Sequence, residues 1–282
     1  MYTDCNESEN IFVSSRGLLK SCDIRSNTPS SSINRLINYP SIDIDKKYIP
    51  TIYICNTAIN HFAMYVIQNI DFSFVLVSGD SDDDMPNSVN NNLFDKMMNN
   101  KYLIHWFCQN WIGNHNKVTQ IPIGLDYHTM VNNACWGPTK SVKEQENDIL
   151  NIKMKSKPFW DRLPKCYSNF HFLMTTRHGY DRIDAKNNIN NDVIYFEESR
   201  VERLQSWETQ IKYSFVVSPH GNGFDCHRTW EALVLGCIPI VKKSKLDDMY
   251  KDLPVLIVND WSDVNQDLLD KTIIEYKNKE FN

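Results

Sequence analysis

Residues 212–241 read KYSFVVSPHGNGFDCHRTWEALVLGCIPIV, and this stretch restricts the fold more tightly than any other. Tyr213–Ser218 is an apolar run of strand length that Pro219 ends. Gly221, Asn222 and Gly223 permit a sharp turn and a close backbone approach to a ligand, with no Cβ in the way at the glycines. Asp225 stands where a helix cap belongs, a helical pattern runs to Leu235, and Gly236 supplies the stop. At about 100° per residue, Cys226, Trp230, Leu233 and Val234 share one face, while His227, Arg228 and Glu231 share the opposite one. A second buried run, Ile238–Val241, closes the unit. Anions gather at a helix N-terminus that follows a strand and a glycine turn. Arg228 adds a forked, charge-assisted donor, His220 and His227 can help to neutralise the anion, and Glu231 can accept from ribose hydroxyls. The pattern points to a nucleotide diphosphate held by Pro219, His220, Gly221, Asn222, Gly223, His227, Arg228 and Glu231.

The rest of the chain repeats the same alternation. Thr51–Cys55, Phe74–Ser78, Tyr102–Trp106 and Val118–Ile123 read as buried strands, with His61–Asn69 and Asn92–Asn99 as helices between them. After a polar stretch, Pro138–Asp148, further strands are expected at His171–Thr175, Val193–Phe196, Tyr213–Ser218, Ile238–Val241 and Val255–Val258. The expected fold is α/β with two Rossmann-like domains, residues 1–130 and 131–282, whose parallel sheets face a cleft. A last helix, Asp267–Lys279, is placed to return to the first domain. Residues 1–50 are polar, rich in Ser and Asn, and read as irregular.

PHGNGFDCHRTWEALVLGCIPIV resembles the signature of exostosin-like glycosyltransferases, roughly P-x-G-N-G…R-x-W-E-A-L-x-x-G-C-I-P-V. Pro219, Gly221, Asn222, Gly223, Arg228, Trp230, Glu231, Ala232, Leu233, Gly236, Cys237, Ile238 and Pro239 match it, over about a tenth of the chain. Leu253-Pro254-Val255 and Asp260-Trp261 resemble the element that follows. The resemblance implies a GT-B fold with the donor on the C-terminal domain, inversion at the anomeric carbon and no essential metal or cofactor. The short chain is most similar to chlorovirus-encoded β-xylosyltransferases. That implies UDP-xylose as donor substrate and a fucose of a capsid glycoprotein as acceptor. The second, GT-A domain of animal exostosins has no counterpart here, so polymerisation of a heparan-type glycan is not implied.

Other residues are candidates for the remaining roles. Thr175, Thr176 and Arg177 fall where the first strand of the second domain meets the cleft, with Arg182 a lesser candidate. An inverting transferase needs a carboxylate to take the acceptor's proton. Asp80, then Asp82, at the end of the Phe74–Ser78 strand, are the first choices. The same acidic loop contains D-x-D spacings, which raises the alternative of a metal-dependent GT-A enzyme. A third reading is a glycan-binding protein without catalysis. Gln109, Asn110 and Asp126 are candidate acceptor contacts, and Trp106 is a packing residue. A formal charge of −5 argues against a general nucleic-acid binder. Eight scattered cysteines, with no signal-peptide pattern and no apolar run of membrane length, lead to the expectation of a cytosolic enzyme (host cytosol for a viral chain) with reduced thiols and no membrane anchor.

Overall fold

The structure is a computed structural model that describes Glu7 and residues 9–26, 48–170 and 175–281. The chain divides into two compact units, Asp4–Ile123 and Gly124–Asn282. Their border lies ahead of the expected one after residue 130. Residues 124–130 belong with the second unit because Arg203 Nη1 donates to Asp126 O at 2.6 Å and meets Met130 Sδ at 3.8 Å.

In the first unit, α1 (Ser15–Ser21) starts at Ser14, whose Oγ accepts from Gly17 N at 3.2 Å. This helix corrects the expectation of an irregular N-terminal stretch; residues 27–47 lie outside the described residues. Strands β1 (Thr51–Cys55), β2 (Phe74–Gly79), β3 (Leu103–Gln109) and β4 (Val118–Ile121) form a parallel sheet in that order. Side chains alternate across it. Ile52, Ile54, Phe74, Leu76 and Trp106 pack with the helical run 56–69 and α2 (Asn91–Met98), whereas Tyr53 and Val77 pack with Leu19 and Cys22 at α1. The run 56–69 is a succession of 3-10, α and π turns rather than one regular helix.

The second unit runs α3 (His128–Asn132), α4 (Val142–Lys155), β5 (Leu163–Ser168), α5 (Tyr180–Asn188), β6 (Ile194–Phe196), α6 (Arg203–Gln210), β7 (Tyr213–Val217), α7 (His227–Val234), β8 (Ile238–Lys242), α8 (Asp247–Tyr250), β9 (Leu256–Val258) and α9 (Gln266–Lys277). The parallel sheet has the order β6-β5-β7-β8-β9. Strands β6 and β7 lie on opposite sides of β5, so the order reverses at β5 and opens a crevice at the carboxyl ends of β5 and β7. Phe215, Val217, Ile238, Ile240, Trp261 and Leu269 form the centre of the core.

Two sequence expectations need correction here. The polar stretch at 138–148 overlaps α4, a 14-residue helix started by a capping box between Ser141 and Glu144. Its buried side includes Gln145 and Glu146, which hide the apolar stripe. The strand expected at His171–Thr175 lies outside the described residues except for Thr175, which is in no strand. The strand that precedes it in the sheet is β5, whose Pro164, Lys165 and exposed first half carry no apolar run. No helix among the described residues is long and apolar enough to cross a membrane, and the described cysteines are free thiols.

Candidate functional site

Strand β7 delivers the chain into the loop 218–226, at the crevice where the strand order reverses. The cap of α7 is Cys226 rather than Asp225, and it offers no side-chain acceptor to the first turn. Asp225 instead accepts from Trp230 Nε1 at 2.8 Å. The helix ends as expected: Gly236 has φ +71°, with Gly236 N to Leu233 O at 3.0 Å and Cys237 N to Ala232 O at 2.9 Å. The buried side of α7 carries Thr229 and Ala232, so Trp230, Leu233 and Val234 flank the core contact and do not form it. Thr229 Oγ1 shares a 2.8 Å hydrogen bond with Ser218 Oγ, which ties the helix to the end of β7.

The glycine turn is held from α5 and from the loop before it. His220 N donates to Asp181 Oδ2 at 2.8 Å, and Trp261 Nε1 donates to Asp181 Oδ1 at 2.8 Å. Arg182 Nε donates to His220 O at 3.2 Å. Gly221 O accepts from His178 N at 3.0 Å and from Thr176 Oγ1 at 3.3 Å. Thr176 therefore bonds the turn, while Thr175 and Arg177 stand exposed on the same loop and Asn222 is exposed at the turn's tip. The His220 ring bonds Phe224 O at 2.9 Å through Nδ1, and burial lowers its pKa against the opposing pull of Asp181.

Gly221 is required by a close approach rather than by its φ. A Cβ there would stand 2.5 Å from Arg182 Nη2. We expect Gly221→Ala to displace that guanidinium, lower stability by about 1–3 kcal/mol and weaken any ligand of the turn. Thermal melts together with a ligand titration measure both effects.

Arg228 rises from the first turn of α7 into this region as a half-buried side chain. Its Nη1 reaches Ser218 Oγ at 3.5 Å and Pro219 O at 3.4 Å, both long bonds, and the group stands 5.4 Å from the Phe170 ring centre. Desolvation, reinforced by the charge of Arg182 and opposed by Cys226 and Glu231, pushes its pKa down to about 10. Two guanidinium groups thus serve one glycine turn, and Arg228 bonds no carboxylate among the described residues.

Glu231 has partners that the sequence pattern did not supply. Its Oε1 accepts from Nε (3.1 Å) and Nη2 of Arg203, and its Oε2 accepts from Trp207 Nε1 at 3.1 Å. Arg203 is 8% exposed; it also donates to Gln145 Oε1 at 3.1 Å and stacks on Trp207 at 4.7 Å. Three donors leave about one of the carboxylate's four acceptor positions for a ligand hydroxyl. Asp126 is buried, and Thr129 N and Oγ1 donate to it at 3.0 and 2.7 Å. Burial opposes its ionisation, but the charges of His227, His128 and Arg203 outweigh it and hold its pKa well below the usual range. His227 Nδ1 bonds Gly124 O at 2.7 Å. Beside Arg203 opens a small pocket of about 70 Å³, lined by Trp136, Trp207, Met130 and Leu204.

In the first unit, Asp80 follows the last residue of β2 with φ 52°, a left-handed conformation that costs energy for a non-glycine residue. Gln109 Oε1 accepts from Asp80 N at 3.0 Å, and Gln109 Nε2 and Asn110 Nδ2 donate to Ser81 O at 3.2 and 3.1 Å. Gln109 and Asn110, expected as acceptor contacts, are buried and shape the Asp80 loop. Asp80 Oδ2 lies 3.8 Å from Arg16 Nε, and Asp82 is half-buried on the same loop. Trp106 is fully buried, as expected of a packing residue, and donates to Ser78 Oγ at 2.8 Å.

No protein-family model and no curated protein matches the chain. Its chemistry is therefore read from geometry. Pro219, His220, Gly221, Gly223 and Arg228 come together around one turn at the strand reversal, with Asn222 at its tip. His227 and Glu231 flank it through the Gly124–Asp126 segment and Arg203. Sequence reading undervalued Arg182 and overlooked Asp181, Arg203 and Trp207. A signal was present in Gly179-Tyr180-Asp181-Arg182, a charged pair at the start of a helix.

Proposed function

We propose that the chain is a GT-B glycosyltransferase. The unit Gly124–Asn282 binds a nucleotide diphosphate sugar, UDP-xylose being the first donor to test, and the unit Asp4–Ile123 binds a glycan hydroxyl. The supporting observation is the pair of guanidinium groups on the Gly221 turn at the strand reversal, the half-buried Arg228 bonding no carboxylate among the described residues. A partly desolvated cation whose hydrogen bonds go to neutral groups is suited to a multiply charged anion. The uncapped first turn of α7 adds amide donors of the same sign. The indole-walled pocket beside Glu231 suits a planar ring, and the one remaining acceptor position of Glu231 suits a ribose hydroxyl.

Catalysis then proceeds as a single displacement. The acceptor oxygen loses its proton to the carboxylate of Asp80 and forms a bond to the anomeric carbon. The bond from that carbon to the diphosphate oxygen breaks, with inversion. Arg228 and Arg182 stabilise the charge left on the departing UDP, as donors aimed at developing charge do in other transfers.

Release of UDP from UDP-xylose in excess EDTA tests this reading. Sustained turnover that Arg228→Met abolishes is the expected result. A strict requirement for added Mg²⁺ or Mn²⁺ would favour the metal-dependent alternative on the Asp80–Asp84 loop. Saccharide binding with no affinity for UDP would make the chain a glycan-binding protein.

A further inference from the structure

The carboxyl ends of β1, β2 and β3 hold polar atoms that the fold leaves unused. Tyr53 is 1% exposed, and its Oη has no hydrogen-bond partner among the described residues. A buried hydroxyl in that state is costly unless something else completes it. The Oη would lie 3.3 Å from a Cβ on Gly79, the residue before Asp80, and the negative charge of Asp80 joins burial in pushing the phenol's pKa up. Arg16 Nε is a second buried donor without a hydrogen bond, 3.8 Å from Asp80 Oδ2. Two donors without hydrogen bonds therefore lie in the neighbourhood of one carboxylate, which follows the end of β2 on a left-handed backbone, φ 52° at Asp80. The Arg16 and Asp80 side chains keep 17% and 14% of their exposure, so this loose ion pair is the open side of the cluster.

We propose that Asp80, Tyr53 and Arg16 form a saccharide-hydroxyl subsite, in which the hydroxyl donates to Asp80 and accepts from Tyr53 Oη and Arg16 Nε. A hydroxyl carries one donor and two acceptor positions, the complement of this set. The assignment deepens the acceptor half of the transferase reading and rests on it. In turnover the proton passes from the bound hydroxyl to Asp80 and one of its two accepted hydrogen bonds is given up, so that the freed lone pair forms the bond to the anomeric carbon as the bond from that carbon to the diphosphate oxygen breaks. Tyr53 and Arg16 both contact substrate.

Saturation-transfer NMR on the full chain with UDP present, using methyl α-L-fucoside and methyl α-D-glucoside as probes, tests the subsite. Wild type is expected to bind at least one of them, and Tyr53→Phe and Asp80→Asn to bind it roughly tenfold more weakly, the worth of one hydrogen bond to a ligand. Tyr53→Phe removes a hydroxyl with no partner among the described residues, so its melting temperature should not fall, and the affinity for UDP should be unchanged in both variants. Binding of neither probe by wild type overturns the proposal, as does unaltered probe binding in the two variants. A wild-type chain that binds a glycoside in this residue-dependent way yet has no affinity for UDP would sustain the subsite and remove the donor site.

Discussion

Glu231→Ala is expected to lower the melting temperature by about 10 °C, and not simply to remove a ligand contact. The Glu231 carboxylate is the counter-ion of Arg203, whose side chain is 7% exposed, and it also accepts from the Trp207 indole. Truncating one member of a buried pair strands the other charge, at a cost of about 3–5 kcal/mol. For a chain of this size each 1 kcal/mol moves the midpoint by roughly 2–4 °C. Glu231→Gln keeps acceptor capacity and should lose less. A melting temperature within about 2 °C of wild type for Glu231→Ala would mean that Arg203 finds other partners at little cost. The sequence pattern suggested a ribose contact that could be removed without harm to the fold; the Arg203 pairing argues otherwise.

Arg228→Met should have the opposite profile. Affinity for UDP is expected to fall by about two orders of magnitude, because charge-assisted bonds to a phosphate contribute on the order of 1.5–3 kcal/mol each. Stability should hold or rise. A guanidinium pushed down to about 10 has its charged form disfavoured by about 3 kcal/mol in the folded chain, and a shorter unbranched side chain without charge avoids that cost. The sign follows from the direction of the shift: at neutral pH the folded state bears a proton that burial disfavours, so deleting the charge relieves the fold. Melting curves and UDP titrations on one preparation separate the two effects. A variant that unfolds while the surviving folded fraction binds UDP normally would make Arg228 structural.

The parts of the fold carried by local pattern were legible. Strands such as Thr51–Cys55 and Tyr213–Val217 are unbroken apolar runs, and Gly236 with its left-handed φ ends α7 where the glycine stands in sequence. Elements stabilised by polar burial were not. α4 buries Gln145 and Glu146, and Gln145 accepts from Arg203. β5 opens with Pro164 and an exposed half. In the site, the Gly221 turn could be read because glycine and helix-start signals are local. The clamp on that turn could not, since Asp181, Arg182 and Thr176 reach it from about 40 residues away. The pairing of Glu231 with Arg203 spans 28 residues, so a single amphipathic face made Glu231 look available. At Asp80 the chosen carboxylate does lie at the end of its strand, but its neighbours Tyr53 and Arg16 depend on tertiary packing.

The diphosphate is the centre of the functional reading, and calorimetric titration of the full chain with UDP and, separately, with uridine isolates it. UDP is expected to bind at least about a hundredfold more tightly than uridine, the difference carried by the Arg228 and Arg182 donors. Equal affinities, or no heat with either compound, would contradict a diphosphate site on the Gly221 turn.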